Sequence, residues 1–145
     1  MKRAAFTLVE LLIVVIILGI LAAIVVPQFS DASTDTQVSS LRTNLQTIRG
    51  QIELYRLQHS GAFPTSAALF SDQMIKKTDL DGTVNAAAGK YGPYLQAIPA
   101  NPFNNSAEVT NSAADATKGW FYDKDTGVFK ANDGGTTASV AHSSY

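Results

Sequence analysis

Residues 6–26 read FTLVELLIVVIILGILAAIVV, and this stretch decides what kind of chain this is. At about 1.5 Å of rise per helical residue it spans roughly 30 Å, the thickness of a bilayer's hydrocarbon core. From Leu11 to Ser30 there is no charged residue. In lipid every backbone polar group must be satisfied within the segment, so the run is predicted to be helical. Lys2 and Arg3 stand directly before it, and the positive-inside rule predicts a cytoplasmic N-terminus with the rest of the chain outside the membrane. A removable secretory signal and a plain membrane anchor are competing readings. A secretory signal, however, has an apolar region of about 7–15 residues followed by a small-x-small site, and this run is longer.

One residue interrupts the apolar run. Glu10 is a carboxylate about one turn into the segment, where insertion costs less than the about 2.5–3.5 kcal/mol of a mid-bilayer charge. It reads either as an interfacial acid or as a charge awaiting a partner in an assembly. Gly19 is the weakest helix former of the run. Pro27 removes a backbone hydrogen bond and is expected to kink the helix or to end it.

Beyond Pro27 the chain changes character. Val38, Leu41, Leu45, Ile48, Ile52 and Tyr55 recur at alternating spacings of three and four, one apolar stripe on a helix. Arg42, Arg49, Glu53 and Arg56 lie off that stripe. The reading is one long bent helix from Phe6 to about Gln58, stopped by Gly61 and Pro64. A short helix is predicted over 66–77, with Leu69, Phe70, Met74 and Ile75 inward, then a loop over 78–90. Residues 91–105, YGPYLQAIPANPFNN, hold three of the five prolines and cannot form a regular helix or a central strand. Their Tyr91, Tyr94, Leu95, Ile98 and Phe103 are expected to pack on the body. Residues 106–118 read as loop. GWFYDKDTGVFKA, 119–131, is a hairpin signal around Asp125-Thr126-Gly127, with Trp120 and Tyr122 on one face. A third strand is expected within 136–141, and the tail from Asn132 is expected to fray.

Composition narrows the function. The chain has 145 residues, no cysteine, 11 basic and 12 acidic residues and a formal charge of -1. Disulfides and thiolate metal sites are excluded, and the near-neutral balance gives no electrostatic reason for nucleic-acid binding. His59 and His142 are the two histidines. Neither sits in a recognisable motif, and both read as surface residues. No phosphate-binding loop is present, and no catalytic residue is assigned.

MKRAAFTLVELLIVVIILGILAAIVVPQF resembles the N-terminus of type IV pilins and of the pseudopilins of type II secretion systems. The resemblance runs from the basic leader through Phe6, Thr7, Leu8, Val9, Glu10 and the aliphatic run to Gly19 and Pro27. YRLQHSGAFPT and IPANPF further resemble segments of the G-type major pseudopilins, with Asn101 and Phe103 where that family has Asp and Trp. The resemblance implies an α+β fold in which the long bent helix packs on a small antiparallel sheet. It implies a leader (1–5), a transmembrane and assembly helix (6–27) and an extracytoplasmic body (28–145). It also implies cleavage between Ala5 and Phe6 by a prepilin peptidase, N-methylation of Phe6, and pairing of Glu10 with a neighbouring subunit's terminal amine. The family's leader ordinarily ends in Gly, where this chain has Ala5. Implied partners are further copies in a filament, other pilins or pseudopilins, the membrane, and an inner-membrane platform with a cytoplasmic ATPase. The implied place is the bacterial inner membrane as a single-pass protein, and a filament in the periplasm or at the cell surface.

The function expected from the resemblance is a filament subunit for protein export. A type IV pilin of adhesion, motility or DNA uptake, and a membrane-tethered ligand-binding module, are the alternatives. Major pseudopilins often bind calcium in a C-terminal loop near their small sheet. By that resemblance Asp123, Asp125 and Asp133 are candidate calcium ligands, although no complete calcium-loop spacing exists there or around Asp79, Asp81 and Gly82. Asp-x-Asp-x-Gly is also an ordinary turn.

Overall fold

The stripe of apolar residues on the first helix is where the core begins. The computed structural model describes residues 6–113 and 115–145. It places helix α1 at Leu8–Gln58, 51 residues long. Helical backbone continues through residue 27, so the helix does not stop at Pro27. The chain divides into two compact units, the first ending at Thr36 and the second being Gln37–Tyr145.

The second unit holds the core. Leu41, Leu45, Ile48, Ile52 and Tyr55 of α1 are all buried, as the three-and-four spacing predicts; Val38 is half-buried. The helix ends with Ser60 at φ 56° and Gly61 at φ 90°. The Gly61 N–H donates to the Arg56 carbonyl at 2.8 Å, a six-to-one closure that satisfies an end carbonyl. Gly61 therefore lies one residue past the left-handed cap position, which Ser60 fills.

Helix α2 is Ala67–Ile75, capped by the Ser66 side chain accepting from the Leu69 N–H. Phe70 and Met74 point inward as expected, but Leu69 is exposed and the polar Gln73 is buried in its stead. The Gln73 amide is satisfied there, donating to the Gly82 carbonyl at 2.7 Å and accepting from the Thr65 N–H at 2.9 Å.

Strands β2 (Trp120–Tyr122) and β3 (Phe129–Ala131) form the predicted hairpin, in the register Trp120↔Ala131, Phe121↔Lys130 and Tyr122↔Phe129. Trp120, Tyr122, Phe129 and Ala131 face the core, and the Lys130 ammonium lies over the Phe121 ring on the outer face. The polar tips of the two inward aromatics of β2 reach proline carbonyls: Trp120 Nε1 donates to Pro99 at 2.8 Å and Tyr122 Oη to Pro64 at 2.9 Å. Phe70 of α2 packs on Tyr122 and Phe129, with ring centroids 4.5 and 5.3 Å away.

The third strand of this sheet is not where the sequence placed it. Strand β1, Val109–Thr110, lies in the stretch read as loop and pairs parallel with β2, giving the order β1-β2-β3. Residues 136–141 instead make a separate two-stranded ribbon, β4 (Thr136–Thr137) and β5 (Val140–Ala141). A 3-10 turn, η1 (His142–Ser144), follows.

Residues 91–105 pack on the body without regular structure, as their prolines require. Tyr94 is buried, and Tyr91, Leu95, Ile98 and Phe103 pack against the core. Gln37 and Asn44 of α1 donate to the carbonyls of Pro102 and Ala100, tying this segment to the helix.

Candidate functional site

The first part of α1 is exposed along its length. Leu8–Val25 is 18 residues with a mean hydropathy of 3.2, and none of it is buried. Phe6 and the leucines, isoleucines and valines of positions 8–25 are each at least two-fifths exposed. An apolar surface this continuous is stable only when lipid or other apolar helices cover it. A Cβ placed on Gly19 would meet nothing within 4 Å, so the small-residue surface there is open to close approach.

Glu10 stands at the N-terminal end of this surface. Its Oε2 accepts from the Thr7 N–H at 3.0 Å and from Thr7 Oγ1 at 2.9 Å, while the Glu10 N–H donates back to Thr7 Oγ1 at 3.2 Å. This is a capping box, in which Thr and Glu three residues apart satisfy each other's orphan groups at a helix start. The Thr-x-x-Glu signature stands in the sequence, and Thr7 is a residue that the reading of Glu10 missed. No ion pair to Glu10 exists among the described residues. Its carboxylate is engaged by neutral donors and open to a cation. Ala5 and the side chain of Pro27 lie outside the described residues.

The two histidines are not surface residues. His59 is 2 % exposed and His142 3 % exposed. His59 sits within an aromatic group, stacked on Tyr55 at 3.7 Å and flanked by Tyr91 and Tyr94. Its Nδ1 meets the Tyr55 carbonyl at 2.8 Å and its Nε2 meets Thr78 Oγ1 at 2.9 Å. Both ring nitrogens of each histidine meet polar partners, which no motif or periodicity in the sequence announces.

The candidate calcium ligands do not share a site. Asp123 belongs to the hairpin turn, where it accepts from Thr126 Oγ1 and from the Asp125 N–H, and these bonds hold its carboxyl below the usual range. Asp125 pairs with Lys124. Asp133 is engaged elsewhere, by His142, Asn101 and the Gly135 N–H. Calcium needs six to eight oxygens turned toward one point. Among the described residues no group of three or more His, Cys, Asp or Glu stands where it could hold a metal ion. The tail from Asn132 does not fray either: Asn132 is buried and donates to the carbonyls of Ser112 and Asp115, and Tyr145 packs against the core.

Comparison with known proteins bears on the exposed helix and on the body. A family model described as the prokaryotic N-terminal methylation motif matches residues 1–26. The chain is 30% identical over 120 residues to the type II secretion system core protein G of Pseudomonas aeruginosa, covering 83% of this chain and 80% of that protein. It is 29% identical over 106 residues to the protein of the same name from Vibrio cholerae, covering 72% and 68%. It is 39% identical over 77 residues to the type IV major pilin protein PilE of Neisseria gonorrhoeae, covering 51% and 46%. No solved structure matches it significantly.

Proposed function

The chain belongs to the family of the type II secretion system core protein G, and from that premise we propose that it is the repeating subunit of a pilus-like filament that serves protein export. The observation that carries this reading is the uncovered apolar face of residues 8–25, with one carboxylate at its N-terminal end and no cation beside it among the described residues.

The physics of assembly follows from these parts. As a monomer the chain keeps residues 6–27 in lipid, with Glu10 near the headgroups and satisfied by Thr7. Lys2 and Arg3 hold the N-terminus on the cytoplasmic side, and residues 28–145 form the extracytoplasmic body. Cleavage between Ala5 and Phe6 by a prepilin peptidase creates a new amine, which is N-methylated. On assembly the helices leave lipid for one another, packing closely where Gly19, Ala22 and Ala23 are small. A cation and a carboxylate attract far more strongly in that low dielectric than in water, so the Phe6 amine of one copy draws the Glu10 carboxylate of the next. An unpaired charge there is costly, and the pair thereby fixes register, while apolar burial supplies affinity. Copies related by rotation plus translation make head-to-tail contacts, which build open filaments. The energy for extraction comes from a cytoplasmic ATPase acting through an inner-membrane platform.

Intact mass with N-terminal peptide mapping, on protein purified from its native membranes, tests the processing step. The expected product begins at N-methyl-Phe6. A chain that still begins at Met1 would leave Glu10 without a nearby terminal amine and would overturn the pairing.

A further inference from the structure

Asp133 and His142 form a buried, fully hydrogen-bonded polar site, and the filament reading makes no use of it. Both side chains are 3 % exposed. Asp133 Oδ1 accepts from His142 Nδ1 at 2.8 Å and from the Gly135 N–H at 2.7 Å; Asp133 Oδ2 accepts from Asn101 Nδ2 at 2.8 Å. A carboxylate oxygen accepts, so the ring nitrogen that faces it, Nδ1, is placed to donate. The other ring nitrogen, Nε2, meets Thr137 Oγ1 at 2.8 Å. The ring lies on Phe103 at 3.7 Å, and a Cβ on Gly135 would meet it at 2.8 Å, so the backbone there approaches as only glycine allows.

These contacts join the proline-rich segment, through Asn101 and Phe103, to three successive pieces of the tail: the stretch after β3 through Asp133, the β4–β5 ribbon through Thr137, and η1 through His142 itself. The ribbon needs such a hold. Its tip turns through Ala138 at φ 48° and Ser139 at φ 66°, two consecutive left-handed residues of which neither is glycine. Backbone of that kind persists only where its surroundings over-determine it. The same fastening carries Tyr145 to α1, where its carbonyl accepts from Arg49 Nη2 at 2.7 Å and its ring lies under the Arg42 guanidinium.

We propose that the His142 imidazole occupies the role a cation would fill in this segment, so that residues 132–145 are clasped to the body by an imidazole–carboxylate pair and need no calcium. Each Asp133 oxygen already faces an N–H donor. A divalent ion placed there would meet the positive ends of those three dipoles instead of further oxygens, and Asp123 and Asp125 are tied into the hairpin turn. The proposal is independent of whether the chain assembles into a filament.

Hydrogen exchange and thermal unfolding of the full chain in detergent, with excess calcium or with excess EGTA, test it. The wild-type chain is expected to melt at the same temperature in both. His142→Gln is expected to speed exchange across 133–145 by about tenfold or more in both buffers, with the α1 core amides unchanged. Thr137→Val, a milder change, is expected to speed exchange in 136–142 alone. A wild-type melting temperature that rises with calcium would overturn the proposal, because Asp133 would then be a cation ligand. So would unchanged exchange in both variants. The calcium comparison uses the wild-type chain and holds even if His142→Gln does not fold.

Discussion

Tyr55 shows how one side chain couples burial to pH. Its phenol is buried beneath Gly82, and burial, helped by Tyr94 and Asp81 nearby, pushes its pKa up to about 12. Burial pushes Tyr122 up as well. In the unfolded chain both titrate near 10. Above that pH the unfolded state has released protons that the folded state still holds, so stability falls as pH rises. Thermal unfolding followed from about pH 9 to about pH 12 should therefore show a steep loss above about pH 10, and Tyr55→Phe should make it shallower. Ser60 makes a second residue-scale prediction. A non-glycine residue at left-handed φ is strained, so Ser60→Gly is expected to stabilise the body by about 0.5–1 kcal/mol, read as a raised unfolding midpoint. The sequence signalled this helix end through Gly61 and Pro64, but nothing in it marked Ser60 as a left-handed residue. Asn101 was legible only as a departure from the family's Asp; its amide donates to both the Gly119 carbonyl and Asp133, a link between distant segments that no local pattern announces.

At the scale of elements, α1 and the β2–β3 hairpin could be read because their apolar residues repeat with the period of the backbone. Ile48 is fully buried at the middle of the α1 stripe, and Ile48→Ala should cost about 2–5 kcal/mol in denaturant unfolding. The exposed Leu57, on the same helix but off the stripe, should tolerate alanine within about 0.5 kcal/mol in the isolated chain. Strand β1 escaped notice because two residues in a polar stretch carry no alternation, and its parallel pairing with β2 is set by the sheet it joins. The β4–β5 ribbon was placed in the wrong sheet for a related reason. Ala138-Ser139 is not the Asn-Gly type of turn that advertises a hairpin, and the ribbon is held by Thr137, His142 and Asp133 through side chains. The docking of the tail was invisible because polar, Gly-rich composition ordinarily signals fraying.

For the whole molecule, a 109-residue body of residues 37–145 with its own core accompanies an apolar segment, Leu8–Val25, of which nothing is buried among the described residues. A protein of this kind is incomplete as a monomer outside lipid, and the family to which it belongs gives that incompleteness a use. The segment and its glutamate were legible because an apolar run long enough to cross a bilayer, broken by a single carboxylate, suits a membrane-borne helix and little else. The claim that the helix and Glu10 drive assembly is tested most directly by Glu10→Gln. Glutamine keeps the capping box with Thr7 and removes only the charge. Filaments of the wild-type and variant chains, expressed with the assembly machinery, are counted by electron microscopy while thermal unfolding follows the body. We expect loss of filaments with an unchanged unfolding transition. Filaments at the wild-type level would contradict the account, because assembly would then not depend on the Glu10 charge.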